Sequence, residues 1–204
     1  MKKGGTGGSN TNKNGLSFEK RTDLAKLIKR DLPKYTVTPM TWRDAINNLH
    51  FKINNPKRKR DLSKQIGYQI AVKSTDKVIG YVTRKHNFYK YLKGIYNIEN
   101  TNSKEWRPDD VFFDLRRNAV VIIEKKFQSK TGSVDEKPLS FASKRRLYQR
   151  LLNHGQPKAP MGLFIFIGNS EWWSKPVYND TFDILREDGV EFVLDTYDYS
   201  WLGL

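Results

Sequence analysis

Asp109, Glu124 and Lys126 are the side chains whose types and spacing in this sequence promise chemistry. All three lie in RPDDVFFDLRRNAVVIIEKKFQ, residues 107 to 128, with Asp109 fifteen residues before Glu124 and Lys126 two residues after it. Two carboxylates and an amine gathered at one place can hold a divalent cation and set a water beside a phosphate. Left alone at the end of a buried strand they would be costly to desolvate, so each must have a partner or a metal.

The elements that must position them follow from the apolar pattern. Residues 119 to 123, AVVII, read as a buried strand. Alternate residues of a strand share a face, so Ile122, Glu124 and Lys126 point one way, and Val121, Ile123 and Lys125 the other. A hairpin that turns at Arg116-Arg117 sets Asp109 directly opposite Glu124, with Cβ atoms about 5 Å apart. A turn one residue longer, which Asn118 tolerates in a left-handed conformation, sets Asp110 there instead and flips the face. Asp114 lies too near the turn to be first choice.

The charge identifies a partner class. The chain has 204 residues and a formal net charge of +15, a surplus that repels itself unless a polyanion lies against it. Nucleic acid is the leading candidate and an anionic membrane the second. The sequence has no cysteine, and His50, His86 and His154 are scattered without ligand spacing, so a zinc site is not expected. No Gly-rich phosphate loop follows a strand, so no nucleotide cofactor is expected. No apolar run is long enough to span a bilayer, and MKKGGTGGSNTNKNG lacks the apolar stretch of a secretory signal. The expected compartment is cytoplasmic, with no membrane partner.

Residues 1 to 15 read as a flexible segment and 16 to 204 as a single domain. A helix is expected from an N-cap at Ser17, with Glu19 in its first turn, to a stop at Pro33. A short helix follows over 40 to 50, and PKRKR at 56 to 60 reads as a basic loop or helix edge. Residues 67 to 73 and 77 to 83 read as a hairpin, 84 to 96 as helical, and 110 to 115 with 119 to 127 as a second hairpin. Ser133 and Glu136 have the spacing of a capping box ahead of a helix over 139 to 153. A strand over 162 to 168, a helix over 177 to 188 ending at Gly189, and a strand over 190 to 195 complete the pattern. This order predicts a mixed β-sheet flanked by helices, α/β or α+β.

Pro108-Asp109 followed by Glu124-Lys125-Lys126 resembles the PD-(D/E)XK motif of the restriction-endonuclease-like nucleases. NGLSFEKRTDL at 14 to 24 resembles the N-terminal helix of many type II restriction enzymes, in which a glutamate approaches the metal; here that is Glu19. IIEKKFQ followed by GSVDEK at 132 to 137, and the closing YSWLGL, are similar to segments of a subgroup. The resemblance runs through most of residues 10 to 204 and is weakest over 34 to 75. It implies a restriction-endonuclease-like core and a type II restriction endonuclease that hydrolyses DNA phosphodiester bonds with Mg²⁺, leaving 5′-phosphate ends. Asp109, Glu124 and the backbone carbonyl of Lys125 would hold the metal, Glu19 would bind it directly or through water, and Lys126 would orient the attacking water and contact the phosphate. Asp110 and Gln128 are further candidates. The implied partner is double-stranded DNA, cut by a homodimer whose two-fold axis matches that of the site, with base-reading elements expected in 34 to 75 and 168 to 178.

Each feature also has a plainer reading. Asp109-Asp110 after proline can cap a turn. Glu124 with Lys126 can be an ordinary ion pair, Glu19 can serve the helix dipole, and Gln128 can be a polar strand end. The clusters at Lys57 to Arg60, Arg84 to His86 and Lys144 to Arg146 are solvated faces or phosphate contacts. Trp172 and Trp173 fit a core best. The rival functions are another enzyme of the same superfamily, a homing endonuclease or a junction resolvase, and a basic DNA-binding module without catalysis.

Overall fold

The computed structural model describes residues 7–49, 51, 61–129 and 136–204. Seven strands lie side by side in chain order: β1 (Tyr35–Thr41), β2 (Gln65–Val72), β3 (Val78–Thr83), β4 (Asp110–Asp114), β5 (Ala119–Lys126), β6 (Met161–Gly168) and β7 (Val190–Leu194). The first five pair antiparallel, while β5 with β6 and β6 with β7 pair parallel. Parallel neighbours need a long crossover. Helices α5 (Lys137–Leu152) and α7 (Asn179–Glu187) supply the two crossovers. The fold is α/β, a mixed sheet flanked by helices, as the pattern of elements predicts.

The alternation of β5 divides the core. Val120 and Ile122 join one apolar cluster with Trp42 of α3 (Trp42–Leu49), Phe88, Tyr91 and Leu92 of α4 (Phe88–Tyr96), and Phe141 and Tyr148 of α5. Val121 and Ile123 join the other, with Phe18 of α1 (Gly7–Arg21), Leu24 and Ile28 of α2 (Leu24–Asp31), and Tyr197. Burial of both faces explains why 119 to 123 is apolar without a gap.

The sequence and the structure part in three places. The single helix expected from Ser17 is two, and the segment expected to be flexible is helical from Gly7. The break falls at Thr22-Asp23, where the Asp23 side chain accepts the Lys26 amide at 3.2 Å and caps α2. An aspartate bonding its own neighbouring backbone competes with continuing the helix. Strand β1 was not expected: no element was read over 34 to 39, and the strand contains Pro39. It is an edge strand, where a residue without an N–H is tolerated. Between α5 and α7 a short helix, α6 (Ser170–Trp173), buries Trp172 and Trp173 in the core. PKRKR and the Ser133 cap fall outside the described residues. Among the described residues no helix is long and apolar enough to cross a membrane.

Candidate active site

The hairpin of β4 and β5 takes the register that turns at Arg116-Arg117. Asp110 is opposite Ile123 and Val111 opposite Ile122. The regular pairing ends there: the Asp109 amide donates to the Ile123 carbonyl at 3.1 Å, one residue out of that register. Asn118 adopts φ +51°, the left-handed conformation it tolerates, without shifting that register. Asp114, fully buried, accepts from both turn arginines, with Arg116 Nε at 3.1 Å and Arg117 Nε at 2.7 Å. It pins the turn and takes no part in the site.

One lysine nitrogen gathers the site. Lys126 Nζ lies 2.8 Å from Glu124 Oε1, 2.8 Å from the Lys125 carbonyl oxygen and 3.4 Å from Asp109 Oδ2. These are three of the four groups expected to hold a metal, Glu19 being the fourth, and they converge on a single cationic point. Asp109 is fixed there because its Oδ2 also accepts the Lys125 amide at 2.8 Å, and because the preceding Pro108 carbonyl accepts the Lys85 amide at 2.9 Å. The Glu124 side chain is only 7% exposed, while Lys126 is 22% exposed, so the cluster is reached from solvent on one side. Burial opposes the charge on Lys126, but Glu124 and Asp109 outweigh it and raise its pKa above the usual lysine value. Burial also pushes the nearby Tyr148 hydroxyl well up, with the Glu124 carboxylate adding to the effect, so Tyr148 stays neutral. All-oxygen donors of this kind suit Mg²⁺, a hard cation that carboxylates and carbonyls bind.

Asp110 belongs to the other face. It makes a buried ion pair with Lys125, accepts the Leu24 amide at 3.1 Å, and lies 3.4 Å from the Tyr197 hydroxyl. Lys125 Nζ also donates to the Thr22 carbonyl. Burial pushes the Asp110 carboxyl up, against the pull of Lys125 and the Leu24 N–H. Asp110 therefore does not accompany Asp109: PDD and EKK form two acid–lysine groups, one on each side of the sheet.

Glu19 also stands apart. Its carboxylate binds Lys85 Nζ at 3.0 Å, and among the described residues no group of three or more His, Asp or Glu side chains is disposed to hold a metal. The geometry does not supply the third acidic ligand expected from residue 19. Two of the basic clusters are partly occupied within the chain: Arg84 binds Asp23 at 2.7 Å and Arg146 binds Asp188 at 3.4 Å. Lys57 to Arg60 lies outside the described residues. Of the stretch from 168 to 178, expected to read bases, Trp173 is fully buried and Trp172 nearly so.

Three supports escaped the sequence reading. Lys144 of α5 places its Nζ 3.1 Å from Glu124 Oε1. The buried Asn169 accepts the Gln128 amide at 2.8 Å and donates to the Gln128 carbonyl at 3.0 Å, clamping the chain just past β5. The Trp173 indole N–H donates to the Lys126 carbonyl at 3.3 Å. Gln128 is thus held by its backbone and is itself buried. Asn169→Ala is expected to cost about 2–6 kcal/mol in a urea melt, since two buried backbone groups lose their partners at about 1–3 kcal/mol each. An unchanged midpoint would show that the clamp is dispensable.

No protein-family model, curated protein or solved structure matches the chain.

Proposed function

We propose that the chain is a Mg²⁺-dependent DNA endonuclease with a PD-(D/E)XK-type site in a restriction-endonuclease-like core, acting as a type II restriction enzyme. The observation that carries the reading is the convergence of Asp109, Glu124 and the Lys125 carbonyl on one cationic point, with Lys126 within reach of all three. The net charge of +15 supports a polyanionic substrate.

Asp109, Glu124 and the Lys125 carbonyl are the groups that would hold Mg²⁺. A bound Mg²⁺ would supply an activated water and neutralise charge on the phosphoryl oxygens. Lys126 gives the site its ammonium: freed from the carboxylates, it donates to a phosphate oxygen and orients the water for in-line attack. Water forms the new phosphorus–oxygen bond, the bond to the 3′ oxygen breaks, and that oxygen takes up a proton. The products carry 5′-phosphate and 3′-hydroxyl ends. One such site cuts one strand, so cutting a duplex at a palindrome calls for a homodimer.

The test is digestion of a supercoiled plasmid by the full chain in Mg²⁺ and in excess EDTA. Discrete fragments in Mg²⁺ alone, with 5′-phosphate ends mapping to one short sequence, are expected. Cutting confined to branched DNA would favour a junction resolvase, and a single long target a homing endonuclease. DNA retained but never cut, with either Mg²⁺ or Mn²⁺, would make the chain a binding module.

A further inference from the structure

Glu124 has two ammonium partners on one oxygen. Lys126 Nζ is 2.8 Å from Oε1 and Lys144 Nζ 3.1 Å from it. The two lysines are not equivalent. Lys126 is carried on the same strand and keeps the Lys125 carbonyl as a second acceptor at 2.8 Å. Lys144 reaches in from α5, its side chain 26% exposed. It sits three residues after Phe141 and four before Tyr148, both buried, so it lies on the inward stripe of the helix. Its other neighbour is the Trp106 ring, whose centroid is 5.9 Å from Lys144 Nζ and 4.5 Å from Lys104 Nζ. Trp106 is fixed in turn by the Tyr89 hydroxyl, which donates to its backbone carbonyl at 2.8 Å.

A divalent ion on Glu124 and Asp109 consumes the negative charge that holds Lys144. An ammonium beside a divalent ion is repelled, and its four-carbon stem lets it move. The face of Trp106 offers a cation a resting place near the site, and the nearest new anion is the phosphate of bound DNA. We infer that Lys144 is a cation-gated phosphate contact: it neutralises Glu124 while the acidic pair is without metal, and turns to a DNA phosphate once a divalent ion binds. The inference rests on the nuclease reading of the same site and adds an order of events, metal before tight DNA binding.

The experiment uses the full chain, Lys144→Gln and Lys144→Arg, with Ca²⁺ as the metal probe and a mixed-sequence duplex as the DNA probe. Without DNA, calorimetry is expected to find Ca²⁺ bound about tenfold more tightly by Lys144→Gln, because a competing cation has left the ligand oxygen. Such a gain cannot come from misfolding. With DNA, Ca²⁺ is expected to strengthen binding by the unaltered chain and by Lys144→Arg. In Lys144→Gln that gain shrinks and the salt dependence of binding in Ca²⁺ falls by about one phosphate contact. Equal or weaker Ca²⁺ binding by Lys144→Gln, or an unchanged salt dependence, overturns the gating while leaving the nuclease reading intact if the unaltered chain takes up metal and cuts. An unaltered chain that takes up no metal removes both.

Discussion

Glu124→Gln is expected to lose DNA cleavage by about a thousandfold or more while binding duplex DNA at least as well as the unaltered chain. The amide keeps the shape of the side chain but removes one of the two negative charges that face Lys126. Metal-assisted charge stabilisation is worth several kcal/mol in a transition state, and each 1.36 kcal/mol is a factor of ten in rate. Removing a negative charge that faces the substrate lowers repulsion of the phosphate backbone, so affinity is retained or rises. Plasmid nicking in Mg²⁺ reads the first quantity and gel retardation in Ca²⁺ reads the second. A variant that still cuts at a tenth of the normal rate would remove Glu124 from the metal site. Loss of binding together with cleavage would mean that Glu124 supports the fold.

The second large effect lies on the opposite face, one residue along. Lys125→Met is expected to destabilise the protein by about 3–5 kcal/mol, because it strands the Asp110 carboxylate in the core. Both partners of that pair are almost fully buried, and the same lysine holds the Thr22 carbonyl at the break between α1 and α2. Pairing the change with Asp110→Asn is expected to recover much of the loss, since the uncompensated charge goes with it. Lys126→Ala should do the reverse, melting close to the unaltered protein and failing to cut. Thermal or urea unfolding of the four proteins measures this directly. If Lys125→Met melts normally while Lys126→Ala collapses, the assignment of the two lysines to the two faces is wrong.

The central hairpin was legible because strand alternation and turn length are short-range rules. Arg116-Arg117 at the turn and an unbroken AVVII run predict the register that the pairs from Asp114 with Ala119 to Asp110 with Ile123 keep, and Asp109 follows just past its last rung. The choice between Asp109 and Asp110 needed the structure, since a one-residue change in the turn exchanges their faces. The ion pair that holds Glu19 was out of reach for a different reason. Its neighbour in space, Lys85, lies 66 residues away in the chain, and no local pattern reports such a pairing. Asn169 was invisible for the same reason, its hydrogen bonds reaching back 41 residues to Gln128. Lys144 did leave a signal that went unread: a lysine in line with Phe141, Tyr148 and Leu151 faces inward and must meet an anion there. Strand β1 contains Pro39, and proline argues against a strand everywhere except at an edge, which is a property of the finished sheet.

Because the seven strands follow one another across the sheet in chain order, each finds its partner among its immediate predecessors and successors. The entropy of closing each loop is therefore met one neighbouring strand at a time. The contacts of longest span are those that join α1 and α2 to the C-terminal segment, such as Tyr197 with the Thr22 carbonyl and Arg21 with Asp195. These latches have the largest loops to close. The β4–β5 hairpin bearing Asp109, Glu124 and Lys126 can thus assemble before the back of the sheet is sealed, and the frame of the candidate site does not wait on the two ends of the fold meeting.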